Sequence, residues 1–139
     1  MMLAEVNYLA ILVATVASFI LGMLWYSPLM FGNIWLKLMG FSPAKIKAGK
    51  KKGMGKVMFF AFLGTLVSSY VLAQFLKVAS AVTIKDGLQV GFLIWLGFTA
   101  TTMLGSVLWE GKPVKLYLIN AAHGLTGLLV ASAILVSWL

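Results

Sequence analysis

Few side chains in this chain could bind a ligand or transfer a proton, and most of them lie in its last third. Asn120 and His123 are three residues apart, so a helix would place them on one face. Glu110 and Thr101 precede them in the sequence. An imidazole, an amide, a carboxylate and a hydroxyl could together hydrogen-bond a small solute or control its passage. These four residues are therefore the first candidates for a polar site.

The same set of residues argues against catalysis and against a bound metal. His123 is the single histidine and the sequence contains no cysteine, whereas a metal site usually assembles several His, Cys or carboxylate ligands. No carboxylate accompanies His123 in its apolar stretch to orient the imidazole for nucleophilic catalysis. We therefore expect no enzyme activity, no cofactor and no metal. The simplest role for His123 is a neutral imidazole hydrogen-bonded to another helix.

The elements that must position these residues follow from the composition. Of the 139 residues, 62% are apolar and only 10% are charged, whereas about a quarter are charged in a soluble domain. Four apolar stretches, 6–26, 57–78, 88–109 and 113–138, are each long enough to cross the ~30 Å hydrocarbon core as a helix. The sequence predicts an all-α, polytopic membrane protein that forms one domain of four transmembrane helices.

Lysines predict how the helices are oriented. Seven of them lie in the loop 27–56, and Lys112 and Lys115 flank the third loop on the same side. The opposite side has only Lys77 and Lys85. Because cytoplasmic loops are enriched in Lys and Arg, we expect the lysine-rich loop in the cytoplasm and both termini outside.

The lysine-rich loop contains two further features. Residues 28–39 have apolar side chains at helical spacing, which predicts a short amphipathic helix at the membrane interface; the alternative is an extension of the first span packed on its neighbours. The lysines that follow would contact anionic lipid or only fix the topology. These candidates are Lys45, Lys47, Lys50, Lys51, Lys52 and Lys56. No aromatic residue lies among them and the chain has no Arg, which argues against a nucleic-acid partner.

Small residues recur every four positions in the apolar stretches, a pattern typical of close helix packing in membranes. The candidate packing positions are Ala10, Ala14, Ser18, Gly22, Gly97, Gly105 and Gly127. They predict a compact bundle, with one stripe left for a second copy of the chain or for a larger membrane complex. A minor alternative is that the glycines line a pore or a lipid groove.

Two segments resemble the bacterial membrane family known as domain of unknown function 1761. The first is GMLWYSPLMFGNIW, from Gly22 to Trp35; the second combines WLGF at 95–98, TT at 101–102, EGKP at 110–113 and LIN at 118–120. In the first motif, Trp25 and Tyr26 would anchor the end of span one or wall a site opposite Glu110 and Asn120. The resemblance covers nearly the whole chain and, with the lysine asymmetry, implies the bacterial inner membrane. It implies no activity.

Three functions are compatible with these observations. A structural, accessory or assembly-forming membrane protein is favoured by the small-residue stripes and the scarce polar groups. A transporter or channel for a small or lipophilic solute would use a pathway near Thr101, Asn120 and His123, and a cavity reaching both Thr101 and Asn120 would favour it. The third function is anionic-lipid binding by the lysine-rich loop.

Overall fold

The computed structural model describes residues 3–51 and 53–138, and it describes only the backbone of residues 46 and 49–51. This part of the chain is helical and contains no strand. Its α-helices are α1 (Tyr8–Trp25), α2 (Gly32–Leu38), α3 (Pro43–Lys51), α4 (Met54–Val78), α5 (Ile84–Ile94), α6 (Thr101–Met103), α7 (Gly105–Leu108) and α8 (Val114–Ser137). A π-helical segment, Trp95–Ala100, joins α5 to α6.

Four helical stretches are long and apolar enough to cross a membrane: Tyr8–Trp25, Met54–Val78, Ile84–Leu108 and Val114–Ser137. The third contains α5, the π-helical segment, α6 and α7. A 25-residue helix such as α4 is about 37 Å long at ~1.5 Å per residue, which exceeds the ~30 Å hydrocarbon core. The predicted all-α, four-span membrane architecture is confirmed, and a short helix, α2, follows the first span.

The third span begins at Ile84 rather than at residue 88, where its apolar run begins. The Thr83 hydroxyl accepts a hydrogen bond from the Asp86 amide at 3.1 Å, and the Asp86 carboxylate accepts from the Thr83 amide at 3.0 Å. This reciprocal capping box satisfies amides that would otherwise lack partners at the helix start. Asp86 and Gly87, which precede the predicted span 88–109, therefore lie in the first turn of α5.

The loosest packing in the bundle is that of the first half of α4. α8 packs mainly against α1 and α5, while α4 packs mainly on α1. The buried core joins residues of three helices: Ala10, Ile11, Ala14, Leu72, Ala73, Leu76, Ala131 and Leu135. Buried residues of α4 all fall between Ser69 and Leu76, and none of residues 54–68 is buried. The first half of α4 is therefore loosely packed.

Close packing of the third span on α8 depends on two glycines. A methyl group at Gly87 would lie 2.8 Å from the Val136 side chain, and one at Gly91 would overlap Ser132. By contrast, a methyl group at Gly97 or Gly127 would meet nothing within 4 Å, and one at Gly105 would meet only Trp109 of the following turn. Packing between the described helices therefore uses Gly87 and Gly91 in this span, rather than the Gly97 and Gly105 predicted from the sequence. Gly127 likewise makes no such close contact.

Candidate functional site

A tight corner after α1 fixes the first two site residues. The Phe31 amide donates to the Trp25 carbonyl at 2.9 Å, the Gly32 amide donates to the Ser27 carbonyl at 2.9 Å, and the Ser27 hydroxyl donates to Leu24. A methyl group at Gly32 would overlap the carbonyl oxygen of Tyr26, so the corner requires glycine there. Because the corner uses residues up to Phe31, α2 begins at Gly32, later than the predicted residue 28. The corner holds Trp25 and Tyr26 against α8.

Three aromatic donors converge on consecutive residues of α8. The Tyr26 hydroxyl donates to the Asn120 side-chain oxygen at 2.8 Å. The Trp25 indole donates to the Ile119 carbonyl at 3.2 Å, and the Trp95 indole donates to the Ala121 carbonyl at 2.7 Å. We call Trp25, Tyr26 and Trp95 the aromatic clamp, because they tie the first and third spans to one turn of α8.

Trp95 is a member of the clamp that the sequence did not single out as a site residue. The available signal was its indole N–H within an apolar stretch, since a buried Trp N–H usually finds a partner. The sequence could not show which carbonyl it would reach. The Trp95 ring lies beside Gly124, where a methyl group would be in ordinary van der Waals contact with it at 3.7 Å.

His123 lies one turn beyond the clamp and packs against its rings. The imidazole centroid is 5.0 Å from that of Tyr26, in an edge-to-face arrangement, and 6.0 Å from that of Trp25. Gly22 makes room for the ring, because a methyl group there would lie 3.1 Å from His123 Nε2. The hydrogen bonds that join the described helices do not involve this imidazole. The expected interhelical hydrogen bond of His123 is thus replaced by ring packing.

A cavity of about 750 Å³ opens beside His123, where α4 is loosely packed. All four spans contribute to its wall, including Ser18 from α1, Gly64 and Thr65 from α4, Thr99 from the third span, and His123 and Gly127 from α8. No charged residue lines it in the described part of the chain. The buried hydroxyl oxygen of Ser18 has no hydrogen-bond partner among the described residues. The site is thus an apolar chamber with a few polar groups.

Comparison with known proteins identifies the family. A family profile described as "Protein of unknown function (DUF1761)" matches residues 9–136. The chain belongs to this family. The match includes all the residues of the aromatic clamp and the cavity. No curated protein and no solved structure shows significant similarity to the chain. Family membership and four apolar helices together describe a multi-pass membrane protein of unknown activity.

The DUF1761 chain brings together four of the six predicted polar-site residues. Trp25, Tyr26, Asn120 and His123 are in contact. Thr101 is exposed and its hydroxyl donates to the Gly97 carbonyl of its own helix at 2.7 Å. Glu110 is exposed in the hairpin before α8. Neither Thr101 nor Asn120 lines the cavity, so it is not the polar passage that the transporter alternative described from the sequence.

Thr99 and Thr101 lie on different sides of the third span. Residues two apart in a helix point about 200° apart, so a Thr99 that lines the cavity leaves Thr101 facing away from it. Thr99, within the π-helical segment, lines the cavity, while Thr101, just after it, is exposed. The Tyr117 hydroxyl donates to the Ala100 carbonyl at 2.7 Å and so holds the end of the segment against α8.

The predicted lipid-contacting lysines whose side chains the structure describes lie apart from this site. Lys45, Lys47 and Lys56 are exposed, and the Lys45 ammonium lies 5.1 Å above the Phe41 ring. Lys52 lies outside the described residues, as do the side chains of Lys50 and Lys51. Contact between these lysines and anionic lipid stays a prediction.

Proposed function

We propose that this DUF1761 chain binds a lipophilic small molecule within the membrane, the step that a transporter of such solutes requires. The cavity of about 750 Å³ beside His123 carries the proposal. Its volume lies in the range of ~300–1,000 Å³ that is usual for small-molecule sites, and such sites are mainly apolar with a few placed polar groups. The proposal assigns no chemical reaction to the chain.

The packing of α4 supports entry of the solute from the lipid phase. The first half of this helix has no buried residue and borders the cavity through Ala61, Gly64 and Thr65. A molecule dissolved in the hydrocarbon region could therefore enter sideways without crossing a charged surface. The lysine excess supports a cytoplasmic lysine-rich loop and termini that lie outside. Together with the family resemblance, it supports a bacterial inner membrane as the location.

Native mass spectrometry from mild detergent tests the proposal with two matched glycine substitutions. Gly127→Leu places a side chain in the cavity, whereas Gly97→Leu places one on the exposed face of the third span; both glycines have free space around them. We expect the wild type and Gly97→Leu to retain one lipophilic molecule per chain. Gly127→Leu should reduce retention at least about tenfold, or ~1.4 kcal/mol. Equal retention by all three proteins, or none by the wild type, would contradict the proposal.

An assembly-forming role is a second candidate. It is favoured by the exposure of Gly97 and Thr101 on one face of the third span, where small residues would let a helix of a second copy approach closely. The same two variants separate the candidates. Gly97→Leu should lower the dimer fraction and leave ligand retention unchanged. Gly127→Leu should lower ligand retention and leave the dimer fraction unchanged. If neither variant changes the stoichiometry, the face of the third span that carries Gly97 and Thr101 is not the contact between two copies of the chain.

A further inference from the structure

Helix α3 is the element least attached to the bundle. None of its described side chains is buried, and its main contact with another helix is a small one with the start of α4. A helix of nine residues is marginal in water by itself, and most helices in proteins are stabilised by packing of an apolar face. α3 therefore requires a further surface to remain helical.

Local contacts hold the start of α3 beside the end of the first span. The Lys45 amide donates to the Ser42 hydroxyl at 3.2 Å, and the Lys45 ammonium lies 5.1 Å from the centroid of the Phe41 ring. Phe41 packs edge-to-face on Trp35 at 5.7 Å between centroids, and Trp35 packs in the same way on Tyr26 at 5.6 Å. Because Tyr26 follows the last residue of α1, these contacts place α3 near the membrane boundary.

The charges of α3 are all of one sign. Positions 45, 47, 50 and 51 are lysines, and the segment contains no acidic residue. Positions 47, 50 and 51 fall within an arc of about 100° on one face of the helix, because successive residues are ~100° apart. Like charges three and four residues apart repel each other, so an anionic surface opposite this face would stabilise the helix. Of the three acidic residues in the sequence, only Glu110 belongs to a loop at this end of the bundle.

We infer that α3 docks on the anionic headgroups of membrane phospholipids through positions 47, 50 and 51, and that this contact keeps it helical. A basic helix beside the end of a membrane span lies within reach of the headgroups. Each lysine near an anionic lipid surface favours contact about fivefold, or ~1 kcal/mol. The inference is independent of the proposed function, since the described wall of the cavity includes no residue of α3.

Amide hydrogen–deuterium exchange of the full chain in nanodiscs tests the contact. One set of nanodiscs contains phosphatidylcholine alone, and the other contains an equal mixture of phosphatidylcholine and phosphatidylglycerol with the same acyl chains. We expect peptides covering residues 43–51 to exchange at least about tenfold more slowly in the mixture, because several lysines contribute. Salt at ~1 M should abolish the difference, since it shortens the Debye length from the ~10 Å of 0.1 M salt to ~3 Å.

Lys47→Gln tests the assigned face. It removes one charge but keeps the helix propensity, which is similar for Gln and Lys. The substitution should reduce the protection gained from phosphatidylglycerol about fivefold, whereas Lys47→Arg should retain it. The matched control is Lys85→Gln, because Lys85 is exposed in the first turn of α5 at the opposite end of the bundle. This control should leave the protection of α3 unchanged.

The contradicting results are distinct from those of the cavity experiment. Equal exchange of α3 in the two lipid compositions would overturn the inference. An equal loss of protection in Lys47→Gln and Lys85→Gln would also overturn it, because net charge rather than this face would then be responsible. Protection by inorganic phosphate in phosphatidylcholine nanodiscs would show that a free anion, and not the lipid surface, binds α3. Failure of the wild type to retain a lipophilic molecule would contradict the proposed function and leave this contact standing.

Discussion

Asn120 and His123 lie on one face of α8 but have different surroundings. The Asn120 side-chain oxygen accepts from Tyr26 within the aromatic clamp, while the His123 ring lines the cavity. Their spacing predicts that they share a helix face. That Trp25 and Tyr26 wall the same site was one of two alternatives that the sequence left open. Spacing could not show that Tyr26 occupies the amide oxygen of Asn120, because that contact depends on the corner at Gly32. At the residue scale, Asn120 anchors the aromatic clamp and His123 borders the cavity.

Replacing Tyr26 by Phe tests the anchor. The substitution keeps the ring beside His123 but removes the donor to Asn120, so we expect a loss of about 0.6 kcal/mol, and at most ~1.7 kcal/mol, in the free energy of unfolding. Unfolding in mixed micelles with increasing dodecyl sulfate measures it. Tyr8→Phe is the control, because Tyr8 is 72% exposed at the start of α1. Equal effects of the two substitutions would show that the clamp bond contributes nothing.

At the scale of elements, the four spans are predictable from sequence but the faces by which they pack are not. Apolar length gives the number of helices, and small residues at four-residue spacing give candidate contact faces. The contact face of the third span was missed because Gly87 lies before residue 88, the predicted start of that span, which separated it from Gly91. The capping box of Thr83 and Asp86 begins the helix earlier than hydropathy indicates. The π-helical segment, Trp95–Ala100, then interrupts the regular helix, which no periodicity in the sequence indicates.

Gly91→Leu tests the packing of the third span on α8. The new side chain would overlap Ser132 and approach the Leu128 carbonyl, whose backbone cannot yield easily. Overpacking of this kind usually costs ~1–3 kcal/mol, which should appear as a lower thermal unfolding temperature in detergent. Gly97→Leu has free space and should be tolerated. If both variants unfold at the wild-type temperature, α5 and α8 do not pack as described.

At the scale of the whole molecule, the bundle is asymmetric along its axis. One end is closed by the buried core and by Gln74, whose amide bonds both the N–H and the carbonyl of Ala4 at 2.8 and 2.9 Å. The half that contains the start of α4 is loosely packed and borders the cavity. The lysine-rich loop joins α1 to α4 on that side, so the lysine excess predicts that the cavity opens nearer the cytoplasm.

Cysteine labelling tests this orientation cleanly, because the chain has no cysteine of its own. Ala48→Cys in α3 and Ala79→Cys after α4 are both exposed positions on opposite sides of the bundle. We expect a membrane-impermeant thiol reagent to label the cysteine at 79 in intact cells, and the cysteine at 48 only after permeabilisation. The unsubstituted chain should remain unlabelled. The reverse labelling pattern would show that the lysine-rich loop faces outward.

The central claim is that the cavity takes up a lipophilic molecule from the surrounding membrane. Photo-crosslinking in phosphatidylcholine nanodiscs, with a diazirine-bearing long-chain alcohol and peptide mapping by mass spectrometry, tests it most directly. We expect crosslinks at Thr65, Thr99 and Gly127 that excess unlabelled alcohol removes. Crosslinks at the lipid-facing Ile20 and Phe60, which are 58% and 59% exposed, should persist. Labelling spread evenly over both groups, with no competition at the cavity residues, would contradict the claim.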